Sequence, residues 1–304
     1  MAAQPAGFRL CDWGRVLRLS LAPTAAADVL AGASLAGLTD LRAICGLVLA
    51  SLAVYHGGMA LNDWADRGGD ALARPERPLP SGALQPAAVL AAALALFVLG
   101  LAAATWVSPR AGLWMAAVAL AAIVYDLVGR GPWRGPALLA FCRAGNLATP
   151  LLAFPLAGSR PALFLAAPLA YGLFVFVVSR LGRLEDAEDD LVCDRRPRRL
   201  VATLILIFLC LPALPVPSLP LHGRLAALAL ALFASFGLLR ARSAPGPWTL
   251  SRVRSTMGLA LARLSLVTAC LALLPGTRAS FALAFLILLG FPLSRALRGV
   301  FPPS

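Results

Sequence analysis

In the stretch LNDWADRGGD, residues 61–70, Asn62, Asp66 and Asp70 recur at i, i+4 and i+8. On a continuous helix this spacing stacks three side-chain oxygens on one face and turns Asp63 about 100° away. Carboxylate and amide oxygens are hard donors suited to Mg2+, which takes one or two carboxylates and completes its octahedron with water and phosphate oxygens. His56 has no ligand partner nearby and the six cysteines show no C-x-x-C spacing, which argues against zinc. Gly68 and Gly69 predict that the helix loosens before Asp70.

A second acidic cluster lies in SRLGRLEDAEDDLVCDRRPRR, where Asp186 and Asp190 are again four apart and Asp194 extends the series. Ten of the fourteen acidic residues fall in these two segments or their flanks, a concentration that argues against random loop charge. Two acidic helix ends on one face of a bundle would hold two or more Mg2+ ions with a diphosphate between them. Glu185, Glu188 and Asp189 are also read as solvated loop charge. After the first cluster, RPERPLPSG stiffens a polar loop with three prolines and so positions Arg74 and Arg77. Arginine suits bidentate phosphate binding. The run Arg195, Arg196, Arg198 and Arg199 is accounted for by membrane topology alone.

The elements that carry these clusters are membrane spans. Sixty per cent of the 304 residues are hydrophobic and 13% charged, outside the range of soluble globular chains. A net charge of +13 would suggest nucleic acid in a soluble protein. Here the arginines map onto short loops, so a bilayer and not a nucleic acid is the expected partner. Apolar segments of spanning length fall at about 17–38, 42–62, 85–107, 111–129, 136–157, 161–183, 199–217, 223–240, 256–274 and 279–297. Pro212, Pro215, Pro217 and Pro220 break the pattern at the seventh and eighth. Twenty of the 27 basic residues, all arginine, lie at the termini or after even-numbered spans, and Arg42, Arg110, Arg160, Arg224 and Arg278 occupy the opposite loops one each. The positive-inside bias then puts both termini and both acidic clusters in the cytoplasm. The apolar N-terminal stretch runs to spanning length with more spans behind it, which argues against a cleaved signal peptide. Only Arg143 and Arg263 fall inside spans, where an ionisable group needs a polar cavity or a partner. Arg143, in FCRAGN beside Asn146, is therefore a site candidate, the alternative being a snorkelling arginine.

NDWADRGGD fits the N-D-x-x-D-x-x-x-D signature of the UbiA superfamily of intramembrane prenyltransferases, and RPERPLPSG resembles the R-P-x-R-P-[IL]-P-S-G stretch that follows it. DAEDD resembles the family's second D-x-x-x-D motif after the sixth span. The VYHGGMALNDWAD and FCRAGN stretches look like an EboC-type branch. The resemblance covers about residues 15–275 and implies a single domain: an all-α polytopic membrane bundle of nine spans whose central cavity opens sideways to lipid. The span at about 279–297 is an addition to it. The implied activity is transfer of a prenyl group from a prenyl diphosphate to an aromatic or other lipophilic acceptor, with Mg2+ and in a cell inner membrane. Asn62, Asp66 and Asp70 would bind Mg2+ and diphosphate with Asp63 supporting them, Asp186 and Asp190 would bind the second metal, and Arg77 would contact the diphosphate. YDLVGRG offers Tyr125 and Arg130 in place of the family's Y-x-x-x-K, with the arginine one position late.

Mg2+ and Arg77 would stabilise the leaving diphosphate, and Asp66, Asp190 and Arg77 are the expected catalytic residues. Phe141, Tyr171, Phe174 and Phe176 are candidates for the dry wall of the allylic cation. His56 is read either as a base or as a hydrogen-bonded structural histidine. A CDP-alcohol phosphotransferase is excluded because Arg67 follows Asp66 where that pattern needs glycine. The remaining alternative is a transporter or scaffold that kept the bundle and changed its task.

Overall fold

The computed structural model describes residues 6–129, 131–154, 161–186, 191–192, 195–214 and 219–301, without the side chains of 6–9, 161–164, 186 and 191–192. Twelve α-helices are seen among them: α1 (Ala6–Val16), α2 (Ala22–Ala36), α3 (Leu41–Ala73), α4 (Pro86–Val107), α5 (Pro109–Val128), α6 (Arg134–Ala153), α7 (Pro161–Gly182), α8 (Arg195–Cys210), α9 (Leu221–Ser243), α10 (Leu250–Ala262), α11 (Leu264–Leu273) and α12 (Arg278–Val300). Short 3-10 turns cover Leu19–Leu21, Arg183–Asp186 and Leu211–Ala213. Leu191–Val192 pairs antiparallel with Trp248–Thr249.

Local chemistry explains where the helices start. Asp40 accepts from the Arg42 amide at 2.9 Å and caps α3. Ser108 alone separates α4 from α5. Its hydroxyl accepts from the Ala111 amide at 3.1 Å while donating to the Ala153 carbonyl at 2.6 Å, and Pro109 supplies a first helical residue that needs no amide partner. Thr249 and Thr277 cap α10 and α12 in the same way.

Two apolar cores result, one among α3, α4 and α5 and one among α7 to α11, with α2 and α6 packed between them. Lipid tails are as apolar as leucine, so close backbone approach replaces the hydrophobic effect in holding these helices together. Gly100 of α4 shows this: a Cβ there would lie 2.6 Å from Val54 Cγ2 and 3.0 Å from the Ala50 carbonyl of α3. Gly32 of α2 has no room for a Cβ beside the Leu147 carbonyl of α6. Leu94, Val98, Leu113, Phe233, Phe236 and Phe285 are exposed on the outside of the bundle, the surface a bilayer would solvate.

Eight helical segments among the described residues are long and apolar enough to cross a membrane, and the protein is an integral, multi-pass membrane protein. The fifth and seventh expected spans correspond to α6, which carries Arg143 and Asn146, and α8, whose first turns carry Arg195, Arg196, Arg198 and Arg199. Helix α8 ends at Cys210, short of the expected residue 217. The ninth expected span is two helices that meet at Arg263, whose guanidinium donates to the Ala234 and Leu259 carbonyls at 2.8 and 3.0 Å. The expected loosening at Gly68 and Gly69 does not occur. Helix α3 runs unbroken for 33 residues, about 50 Å at 1.5 Å per residue. That exceeds a hydrocarbon core of about 30 Å, so its last turns stand clear of the apolar layer.

Candidate active site

The unbroken end of α3 forms one wall of a cavity of about 650 Å³ lined by Met59, Asn62, Asp66, Asp70, Arg74 and Arg77, with Arg18 and Tyr125 opposite. This is the size of an ordinary small-molecule site. The i, i+4, i+8 series therefore does share a face. Asp70 is only 9% exposed and accepts from Arg77 Nη1 at 2.7 Å, and Arg77 is itself 5% exposed. The proline-stiffened loop folds Arg77 back seven residues onto the helix it follows.

Asn62 is held from both ends. Its Oδ1 accepts from Arg18 Nη2 at 3.2 Å and its Nδ2 donates to Asp126 Oδ1 at 2.8 Å. An amide oxygen has two acceptor positions, so the Arg18 bond leaves one for a ligand. Asp63 is absent from the cavity wall. Expected as a supporting residue among the metal ligands, it is 3% exposed and faces Arg18 Nη2 at 3.4 Å, where it anchors Arg18.

Arg18 was missed as a site residue because it falls in an N-terminal arginine group that topology alone explains. Its signal is visible only in the fold: φ 51° and ψ 48° make it the one left-handed non-glycine residue among those described. That conformation costs about 1–3 kcal/mol, and it turns the side chain into the cavity between α1 and α2.

Arg143 and Asn146, expected at the diphosphate, do not line the cavity. Arg143 Nη2 donates to Asp28 Oδ1, to the Thr24 carbonyl and to the Tyr171 hydroxyl, each at 2.9 Å. Asn146 Nδ2 donates to Asp28 Oδ2 at 3.0 Å, and Tyr171 donates to Asp28 Oδ1 at 2.6 Å. Together they tie α2, α6 and α7 inside the bundle. An aspartate and an arginine both inside predicted spans were the available signal for this pair. Tyr171 and Phe174 are fully buried in the core, and neither they nor Phe141 and Phe176 border the cavity. His56 Nδ1 donates to the Leu17 carbonyl at 2.7 Å, which makes it the structural histidine of the two alternatives.

Tyr125 and Leu139 also border a second cavity of about 300 Å³, closed by Val178, Ser179, Arg183, Met257 and Leu261. The end of α7, which leads into the second acidic segment, thus reaches the neighbourhood of the first. Asp186 ends the turn that follows α7, and its side chain is not described; Asp190 and Arg130 lie outside the described residues.

The donor set fits a hard divalent ion shared with a phosphate. Asn62, Asp66 and Asp70 present oxygen donors one turn apart on the cavity wall. Mg2+ takes one or two carboxylates from a protein and keeps its other positions for water and substrate oxygens. The carboxylates of Asp66 and Asp70 share this wall with the guanidiniums of Arg18, Arg74 and Arg77, and a divalent cation would let an anion's oxygens approach those carboxylates.

A family model described as the UbiA prenyltransferase family matches residues 20–261. The chain is 35% identical over 174 residues to a digeranylgeranylglyceryl phosphate synthase of Methanopyrus kandleri, covering 55% of this chain and 60% of that protein. It is 36% identical over 106 residues to the bacteriochlorophyll synthase 33 kDa chain of Cereibacter sphaeroides, covering 34% of this chain and 35% of the relative. The matched stretches thus span less than two thirds of these relatives' lengths. The fold resembles that of a UbiA homolog from Archaeoglobus fulgidus bound to DMAPP and Mg2+, with a TM-score of 0.61, 14% identity, and coverage of 85% of this chain and 99% of the other.

Proposed function

The chain belongs to the UbiA prenyltransferase family, and we propose that it moves a prenyl group from a prenyl diphosphate to a lipophilic acceptor, with Mg2+, inside the membrane. The observation that carries this reading is the single cavity that gathers Asn62, Asp66, Asp70, Arg74 and Arg77 at the end of a helix too long for the bilayer. A prenyl diphosphate is apolar at one end and multiply anionic at the other, and the cavity has the same polarity along α3. The Archaeoglobus relative holding DMAPP with Mg2+ supports the same substrate class.

Asn62, Asp66 and Asp70 would hold Mg2+, which as a Lewis acid draws charge off the departing diphosphate. Arg77, fixed by Asp70, donates to the diphosphate oxygens as negative charge accumulates on them, while Arg18, fixed by Asp63, grips the diphosphate equally in the bound substrate and in the departing group. Neither guanidinium has to reorganise during ionisation, because each is already held by a carboxylate. Asp186 and Asp190 are assigned to a second metal. We place the allylic carbon at the seam of the two cavities, which Tyr125 and Leu139 both border, an aromatic and an aliphatic side chain suited to a cation that must be kept from water. The second cavity, apolar apart from Ser179 and Arg183, receives the acceptor. The arginine-rich loops support a cytoplasmic side for this rim and both termini, by the positive-inside bias.

The test is to incubate the purified protein with Mg2+, labelled geranyl, farnesyl and geranylgeranyl diphosphates and a lipid extract, and to follow diphosphate release. Release that needs Mg2+ and falls by at least about a hundredfold in Asp66→Ala is expected. Absence of any Mg2+-dependent release from the native chain would sink the proposal.

A further inference from the structure

The helix beyond the family match, α12, lies against the chain on both sides of Arg18, the one left-handed non-glycine residue among those described. Residues 20–261 match the family, and α12 begins at Arg278. It packs along α2 and α11 and against the 3-10 turn Leu19–Leu21 that Arg18 opens. Its contacts bracket Arg18 in sequence. On the N-terminal side, the Phe301 ring fills the space over Gly14 so fully that residue 14 has no room for a Cβ, and the Cys11 thiol reaches the Val300 carbonyl at 3.5 Å. On the C-terminal side, α12 touches the turn itself, and a Cβ on Gly290 would lie 3.1 Å from Pro23 Cβ. Between the two contacts the chain makes its left-handed step at Arg18 and sends the guanidinium to Asn62 and Asp63.

We propose that α12 is a brace that holds Arg18 in the cavity, with Phe301 as the positioning residue that seats Gly14 and the middle of α12 seating residues 19–23. The consequence for substrate rests on the reading of the cavity as a diphosphate site. A left-handed arginine relaxes toward ordinary backbone angles when its flanks are released, because nothing in its own side chain favours that conformation. From α3, His56 donates to the carbonyl of Leu17, the residue before the step. The brace therefore ties the tenth span to binding of the diphosphate and not to the later chemistry.

The experiment uses the full chain in lipid nanodiscs and compares Phe301→Ala, Gly14→Val, Arg18→Ala and Arg18→Ala/Phe301→Ala, with Phe285→Ala on the exposed face of α12 as control. Turnover of geranyl diphosphate with Mg2+ gives KM and kcat, and hydrogen exchange reads the amides of residues 17–22, including the Leu21 amide bonded to the Arg18 carbonyl. Phe301→Ala and Gly14→Val are expected to raise KM roughly tenfold, the loss of one charge-assisted hydrogen bond, with kcat changed less than about twofold. Both speed exchange at 17–22, and Phe301→Ala adds nothing once Arg18 is alanine. Unchanged exchange at 17–22, or KM effects of Phe301→Ala and Arg18→Ala that multiply, would overturn the brace. A native chain without Mg2+-dependent diphosphate release sinks the reading of the cavity instead, and the exchange comparison then still decides the brace.

Discussion

Arg143 gives the sharpest test of the structure, because its place inside an expected span makes it a site candidate while the fold ties it to Asp28, Thr24 and Tyr171. Asp28 is completely buried and takes hydrogen bonds from Arg143, Asn146 and Tyr171. Arg143→Met leaves that carboxylate without its countercharge among apolar helices, a loss of about 3–5 kcal/mol for breaking a buried pair from one side. Asp28→Asn/Arg143→Met removes both charges, keeps an amide for Asn146 and Tyr171, and should recover most of the loss. The coupling between the two positions is then about 3 kcal/mol. The assay is thermal unfolding followed by tryptophan fluorescence, which reports on the fully buried Trp248, together with KM for geranyl diphosphate on each folded variant. The single variant should unfold well below the native chain, the double variant near it, and the double variant should keep a native KM. An Arg143→Met protein that unfolds normally but has lost diphosphate affinity would refute the structural assignment and restore Arg143 to the substrate site.

Arg77→Lys keeps a positive charge but gives up the planar fork that meets Asp70 at 2.7 Å; KM for the prenyl diphosphate should rise roughly tenfold, measured against Arg77→Ala as the larger loss. Because Asn62, Asp66 and Asp70 present hard oxygen donors on the cavity wall, inorganic diphosphate should bind at least about tenfold more weakly in EDTA than in Mg2+ by calorimetry. Equal affinity in the two buffers would show that no metal ion bridges these residues and the diphosphate.

What the sequence reveals here depends on the range of the interaction. The i, i+4, i+8 series of Asn62, Asp66 and Asp70 is a property of one helix, so spacing sufficed to put them on one face. Arg77 was reachable too, since a short proline-stiffened loop leaves it few places to go. Arg18, by contrast, joins the site across 44 residues, and Asp28 meets Arg143 across 115. Pattern within an element says nothing of such pairings, although the cost of an unpaired charge in a span says that some pairing must exist. Helix α6 illustrates the limit from the other side. Its polar residues first suggested a substrate site, when burying them against α2 and α7 satisfies the same physical demand.

By its continuity, helix α3 explains how the proposed metal site and an entrance from lipid would meet at one rim. Its first half is bound by close backbone contact with α4, where Gly100 leaves nothing between itself and Val54. Rigid packing there fixes the direction of the remaining turns, which continue past the apolar layer without the break that Gly68 and Gly69 would permit. One face of those turns passes from Met59 through Asn62 and Asp66 to Asp70, from thioether to carboxylate in eleven residues, or about 16 Å of helix rise. A substrate lying along that face has its apolar chain at the depth of lipid tails and its diphosphate at the depth of water. Had the helix loosened at the glycines, Asp70 and the loop carrying Arg77 would have been free to turn away from Asp66. The continuity of α3 is thus what makes a charged cavity out of residues that composition alone would assign to a solvated loop.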